Sequence, residues 1–154
     1  MPATIKETIL SAVETAFLEI TPANGYERTV RRVHRVGTAA TETLEFDAIN
    51  LIDRGDATRR KLVRANEQLL TIELECLTKE YVEAQAVQTV LRLVADVMKR
   101  MEQDGTWGDL AVRTTIIQGG SSPFEVAAPT IVNRVTLQIL YRIERANPNI
   151  QAMI

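Results

Sequence analysis

The stretch Leu70-Thr71-Ile72-Glu73-Leu74-Glu75-Cys76 decides the fold class. In an extended chain Leu70, Ile72, Leu74 and Cys76 fall on one side and Thr71, Glu73 and Glu75 on the other, because successive strand side chains alternate. A strand that is apolar on one face and charged on the other belongs to a sheet with one buried and one wet side. Immediately downstream the period changes from two to 3.6. Over roughly Glu83 to Gln103, Val87, Val90, Leu91, Val94, Val97, Met98 and Met101 form a helical stripe opposite Gln88, Arg92, Asp96 and Arg100. Asp104-Gly105 ends that helix.

Working outward, Thr4 and Glu7 form a capping box. It starts a first helix whose stripe is Ile5, Ile9, Ala12, Val13, Ala16, Phe17 and Ile20. Thr21-Pro22-Ala23-Asn24-Gly25 closes it, with Gly25 or Asn24 free to take positive φ. The β-branched run from Tyr26 to Val36 reads as a strand with one face wet, and Gly37 to Glu45 as a loop. Phe46 to Ile52 reads as a second strand, and Asp53-Arg54-Gly55-Asp56 as a turn. Arg59 to Glu67 is read as strand or mobile arm. Leu110, Val112, Thr114 and Ile116 predict a strand, Gln118 to Pro123 a loop, and Val135 to Ile143 the longest strand.

The order is helix, strands, helix, strands. Two helices with one apolar stripe each bury most surface on one face of a shared sheet. The expected fold is therefore α+β: a largely antiparallel or mixed β-sheet with two main amphipathic helices packed on one face. At 154 residues the chain is the size of a single domain. Its expected appendages are an extended arm or hairpin at about 53–67, a flexible loop at about 118–130 and a short tail at 147–154.

Composition narrows the function. The net charge of −2 argues against a dedicated duplex-binding protein, which carries a clear basic excess. One cysteine, Cys76, forms no internal disulfide and no multi-thiolate metal site. No apolar run approaches the ~20 residues needed to span a bilayer, so no membrane is expected. The amino terminus lacks a signal-peptide layout, and the expectation is a soluble protein made in the cytoplasm.

Chemistry-bearing patterns are sparse. His34 is the lone histidine, and a general base needs a matched partner in a cleft, so it reads as a strand residue on a wet or interfacial face. Cys76 shares the apolar strand face, where a thiol is inert. Gly119-Gly120-Ser121-Ser122 lacks the Lys of a phosphate-binding loop and is followed by Pro123. Glu73 and Glu75 sit about 7 Å apart along one strand face. No aromatic platform accompanies them, and they read as a solvated or intersubunit face. No catalytic residue, cofactor or metal is expected.

Nine of the 18 Lys and Arg lie between Arg28 and Arg64, against six acids from Glu27 to Asp56. Only Tyr26 and Phe46 are available there to stack bases. Mixed charge of this kind suits registry at a subunit boundary. The residues expected at a subunit or tube interface are Arg54, Arg59, Arg60, Lys61 and Arg64 of the arm. Phe124 and Val126 of the loop and Ile150, Met153 and Ile154 of the tail join them. Apolar side chains on such segments mark contact with another chain, or are scattered surface hydrophobes.

Taken as an arrangement, these pieces resemble the tail terminator (tail completion) proteins of long-tailed bacteriophages. The resemblance rests on the opening helix, the Tyr26–Val36 run, Asn50-Leu51-Ile52-Asp53-Arg54-Gly55-Asp56 and the strand 70–77. It is carried furthest by the helix leading into Asp104-Gly105-Thr106-Trp107-Gly108 and by the closing strand with Tyr141-Arg142. It implies a homo-oligomer, a hexameric ring that caps the tail tube, stops its elongation and offers a docking surface to the head-side connector. Viral DNA would pass through the lumen without specific binding. The place implied is the head-proximal end of the virion tail, assembled in the host cytoplasm, with tail tube and connector or neck proteins as partners. Alternatives are a neck or head-completion protein or, in another class, a small nucleic-acid-binding module using Arg28 to Arg64.

Overall fold

A computed structural model describes residues 3–35, 45–120, 123–127 and 129–152. Helix α1 (Ile5–Leu18) begins as its capping box requires. The Glu7 backbone N–H donates to Thr4 Oγ1 at 3.1 Å, and the Thr4 N–H donates to Glu7 Oε2 at 2.8 Å. A 3₁₀ turn at Pro22–Asn24 follows, closed by Gly25 at φ +92°, a conformation that favours glycine. Next come β1 (Arg32–Arg35), β2 (Ala48–Lys61), β3 (Ala65–Lys79), α2 (Glu83–Gln103), β4 (Arg113–Gln118), β5 (Phe124–Ala127), β6 (Thr130–Glu144) and β7 (Asn147–Gln151).

The strands make one mixed sheet of order β1-β2-β3-β6-β4. β1 runs parallel to β2, and the other pairings are antiparallel. Its backbone is the β3–β6 ladder, unbroken from Ala65 opposite Glu144 to Lys79 opposite Thr130. The far edge of β6 is covered piecewise: β5 pairs near Thr130–Val132, β4 near Thr136–Leu140 and β7 at Ile143–Glu144.

Both helices pack on one sheet face, as the apolar stripes require. Ile9, Val13 and Phe17 of α1 and Val90, Leu93, Val94 and Val97 of α2 share a core with Leu70, Ile72, Leu74, Cys76, Val135, Leu137 and Ile139. The strict alternation of β3 thus aims as its sequence dictates. No helix among the described residues is long and apolar enough to cross a membrane.

Several local expectations change. Asp53-Arg54-Gly55-Asp56 is no turn. β2 runs straight through it with bulges between Asp53 and Asp56 and between Thr58 and Arg60, and Gly55 at φ +96° takes up the extra length. The 53–67 segment is accordingly a hairpin continuous with the sheet. The expected strand over Tyr26–Val36 shrinks to Arg32–Arg35, while Tyr26 and Val30 still reach the core. The strand expected from Leu110 begins only at Arg113, because Trp107, Gly108 and Asp109 all take positive φ in a turn that buries Trp107.

In α2, Asp96 is buried instead of wet. Its carboxylate accepts the backbone N–H groups of Glu27 (3.1 Å) and Arg28 (2.7 Å), an arrangement no helical wheel displays. Val87 and Leu91 fall at the rim of the stripe and stay exposed. Within the expected loop 118–130, Phe124 and Val126 lie on β5, and within the expected tail Ile150 lies on β7. Met153, Ile154, Val36 and the 37–44 part of the expected loop fall outside the described residues.

Candidate functional site

The β2–β3 hairpin projects from one end of the sheet and is anchored on both faces. On the helix side, the bulge turns two carboxylates inward. Lys6, in the first turn of α1, reaches Asp53 at 2.8 Å and Asp56 at 3.1 Å, and the buried Tyr141 hydroxyl donates to Asp56 at 2.9 Å. Partial burial works against the Asp56 charge, but the Tyr141 and Lys6 bonds outweigh it and hold the carboxyl below its usual range. Burial likewise opposes the Lys6 charge and is outweighed by its two carboxylates, so its ammonium is held above the ordinary lysine value. Tyr141 is pushed up by burial and by the neighbouring Asp56.

On the helix-free side, Arg142 grips the Glu67 carboxylate through Nη2 (2.9 Å) and Nε (3.0 Å), and that side chain is only 7% exposed. The neighbouring residues Tyr141 and Arg142 therefore fasten the hairpin from opposite faces. Further along the helix-free face runs a ladder of charges. Arg54 bonds Glu73 at 3.2 Å, Arg134 bonds Glu73 at 3.4 Å and Glu75 at 3.1 Å, and Asn50 donates to Glu75 at 3.3 Å. This is the polar face expected for Glu73 and Glu75, with Arg54 as one of its members.

Beyond those anchors the hairpin is bare. β1 pairs only with Ala48–Leu51, so among the described residues no strand lies beside Ile52–Lys61 and its outward backbone groups lack a ladder partner. Arg59, Arg60, Lys61 and Arg64 are exposed and make no ion pair among the described residues, in contrast with Arg54. The turn closes through the Leu62 N–H on Ala65 O at 2.7 Å and leaves Val63 88% exposed at its apex.

The structure brings the tail beside this tip. The Arg145 N–H donates to Arg64 O at 3.2 Å, placing the β6–β7 turn against the β2–β3 turn, with exposed Ile150 on the neighbouring β7. Phe124 and Val126 belong to the opposite end, because β5 pairs where β6 begins. The candidate residues thus divide between two ends of a sheet about 45–50 Å long. Nothing in the local sequence marks Lys6, Asp56 or Arg145 as candidate positions. Tyr141-Arg142 was the one signal, and what the pair touches is set by register with strands far away in sequence.

The remaining features are structural. Asp104 accepts the Thr106 hydroxyl (2.6 Å) and the Thr106 and Gly108 N–H groups (3.0 and 2.9 Å). The Thr106 bond leads in holding its carboxyl below the usual range. The turn so formed delivers Trp107 into the core, its ring edge-on to Phe17 with centroids 6.0 Å apart and its Nε1–H donating to Thr114 Oγ1 at 2.8 Å. Cys76 is fully buried, and burial pushes its thiol up to about 12, which removes it as a nucleophile at neutral pH.

Two open grooves, of about 550 and 490 Å³, flank α2. Several of their charged residues are already engaged: Asp96 by backbone, Arg100 by Glu19 at 3.4 Å, and Asp104 by its own turn. Neither groove gathers a nucleophile with a base. No family model matches this chain, and no curated protein matches it.

Proposed function

We propose that the chain is a tail-terminator-like virion protein, working by shape. Copies close head to tail into a ring, of six subunits by the resemblance, on the last ring of a phage tail tube. The ring stops elongation and gives the head-side connector a surface to dock on, while DNA passes through the lumen without specific binding. Its place is the head-proximal end of the tail, after assembly in the host cytoplasm.

The observation that carries this reading is the hairpin. It is held rigidly at its base by Lys6, Tyr141 and Arg142, yet Ile52–Lys61 offers an unpaired strand edge that ends in unpaired cations. A rotation-closing contact needs such an element, because a head-to-tail interface joins two different surfaces of the same chain. A ring between tube and connector also needs two distinct ends. Here the basic hairpin with β7 stands at one end of β6 and the β5 hairpin at the other.

The test is the variant Arg59→Glu/Arg60→Glu/Lys61→Glu, mixed with tail tubes and followed by light scattering and electron microscopy. Wild type is expected to form rings on tube ends. The variant should keep the wild-type circular dichroism spectrum and fail to cap. Normal capping by the variant would remove the hairpin from the interface, and a wild-type protein that stays monomeric beside tubes would overturn the ring.

A further inference from the structure

Among the described residues, ion pairing singles out one surface of the chain. Eight of its 18 Lys and Arg contact carboxylates: Lys6, Arg28, Arg35, Arg54, Arg92, Arg100, Arg134 and Arg142. Lys79 and Lys99 lie over aromatic rings. Of the eight left, five (Arg59, Arg60, Lys61, Arg64 and Arg145) sit together on the hairpin tip and the adjoining β6–β7 turn. A net charge of −2 hides this concentration. Among the described residues nearby acids do little to offset it, since Glu67 is already taken by Arg142 and Glu144 stands exposed.

We propose that this tip contacts the phosphate backbone of duplex DNA without reading sequence. Two features favour a duplex over an acidic protein surface. The cations surround the hairpin: Arg60 lies opposite Glu67 on the helix-free side, and Lys61 opposite Asn66 on the other. A flat acidic patch engages one side of a ribbon, whereas a groove presents phosphates to both, and the major groove admits a two-stranded β-ribbon. The ribbon is also secured at its base by Lys6–Asp56–Tyr141 and Glu67–Arg142, so its charges project as a unit.

The tip offers no Asn, Gln or aromatic side chain over Arg59–Arg64 to pair with adenine or stack on bases, and its Arg and Lys are assigned to phosphates, which carry no sequence information. Phosphate contacts of this kind are weak at physiological salt, which lets DNA slide past. Arg59, Arg60 and Lys61 also serve the subunit contact proposed above, so one tip makes one contact or the other. A lone subunit carries the whole surface, and duplex binding is measured without a ring.

The test titrates the full chain into a fluorescein-labelled 20-base-pair duplex of arbitrary sequence, by anisotropy, between 50 and 200 mM NaCl. Engagement of about three to five phosphates predicts a log–log slope of roughly −3 to −4.5 and affinity about 40- to 500-fold weaker at the higher salt. The variant Arg59→Ala/Arg60→Ala/Lys61→Ala/Arg64→Ala should flatten the slope to about −1 with an unchanged melting temperature. The control Arg31→Ala/Arg32→Ala/Arg113→Ala removes unpaired cations elsewhere and should leave the slope intact. Equal loss in both variants would overturn the proposal. So would binding to labelled polyglutamate as tight as to DNA, which would assign the tip to an acidic protein partner.

Discussion

Replacing Trp107 by Ala probes the turn that ends α2 and lets β4 start where it does. The side chain is 3% exposed, stacks edge-on against Phe17 and donates its indole N–H to Thr114 Oγ1, which in turn donates to Gly105 O at 2.7 Å. Trp→Ala at a buried site costs about 3–5 kcal/mol through lost transfer energy and the cavity left behind. Thr114 keeps its bond to Gly105, so the lost indole bond adds little beyond that range. Backbone strain adds nothing, since the positive φ at position 107 is shared by wild type and variant.

With a urea slope of about 2 kcal/mol/M, the midpoint should fall by roughly 1.5–2.5 M at unchanged slope. Far-UV circular dichroism is the readout, because Trp107 is the only tryptophan. The companion Phe17→Ala should cost a similar amount, and the double variant less than the sum by about 0.5–1.5 kcal/mol, the worth of the aromatic pair. A midpoint shift for Trp107→Ala below about 0.5 M, corresponding to ~1 kcal/mol, would refute this packing.

Three further outcomes are expected. Thr4→Ala should lose about 0.5–2 kcal/mol by opening the capping box, seen in the same denaturation assay, and Thr4→Ser should lose much less. Asp56 has a folded pKa below its unfolded value, so it adds stability above the unfolded pKa that fades as pH falls through the folded one. Asp56→Asn should therefore sit below wild type near neutral pH, with a gap that narrows at acid pH, and a gap constant down to pH 2.5 would contradict the Lys6–Asp56–Tyr141 network. The Cys76 thiol should resist iodoacetamide in the native protein at pH 8 and react at once in denaturant, as mass spectrometry would record.

What the sequence made legible was whatever rests on local period. Leu70–Cys76 alternates because one sheet face is buried, and Glu83–Gln103 keeps a 3.6 period because one helix face is. Thr4 and Glu7 are neighbours on the first turn, so their bond is visible in the spacing. Asp53-Arg54-Gly55-Asp56 misleads because its composition is that of a turn, while pairing with β3 holds it extended around a bulge.

Asp96 has the right helical phase for solvent, but a chain segment about 70 residues away covers it. The candidate site follows the same division. Arg54 and Arg59 look alike in sequence, and only cross-strand register gives Glu73 to the first and leaves the second bare. The grouping of Arg64 with Arg145 depends on two turns meeting at one end of the sheet, a long-range fact with no local signal.

The proposed function requires copies of the chain to dock on one another around an opening. Mass photometry of the purified chain, alone and with sheared tail tubes, with particles imaged in negative stain, addresses that directly. Closed rings of about six subunits seated on tube ends are expected. Subunits that remain single at every concentration, with tube ends left bare, would contradict it.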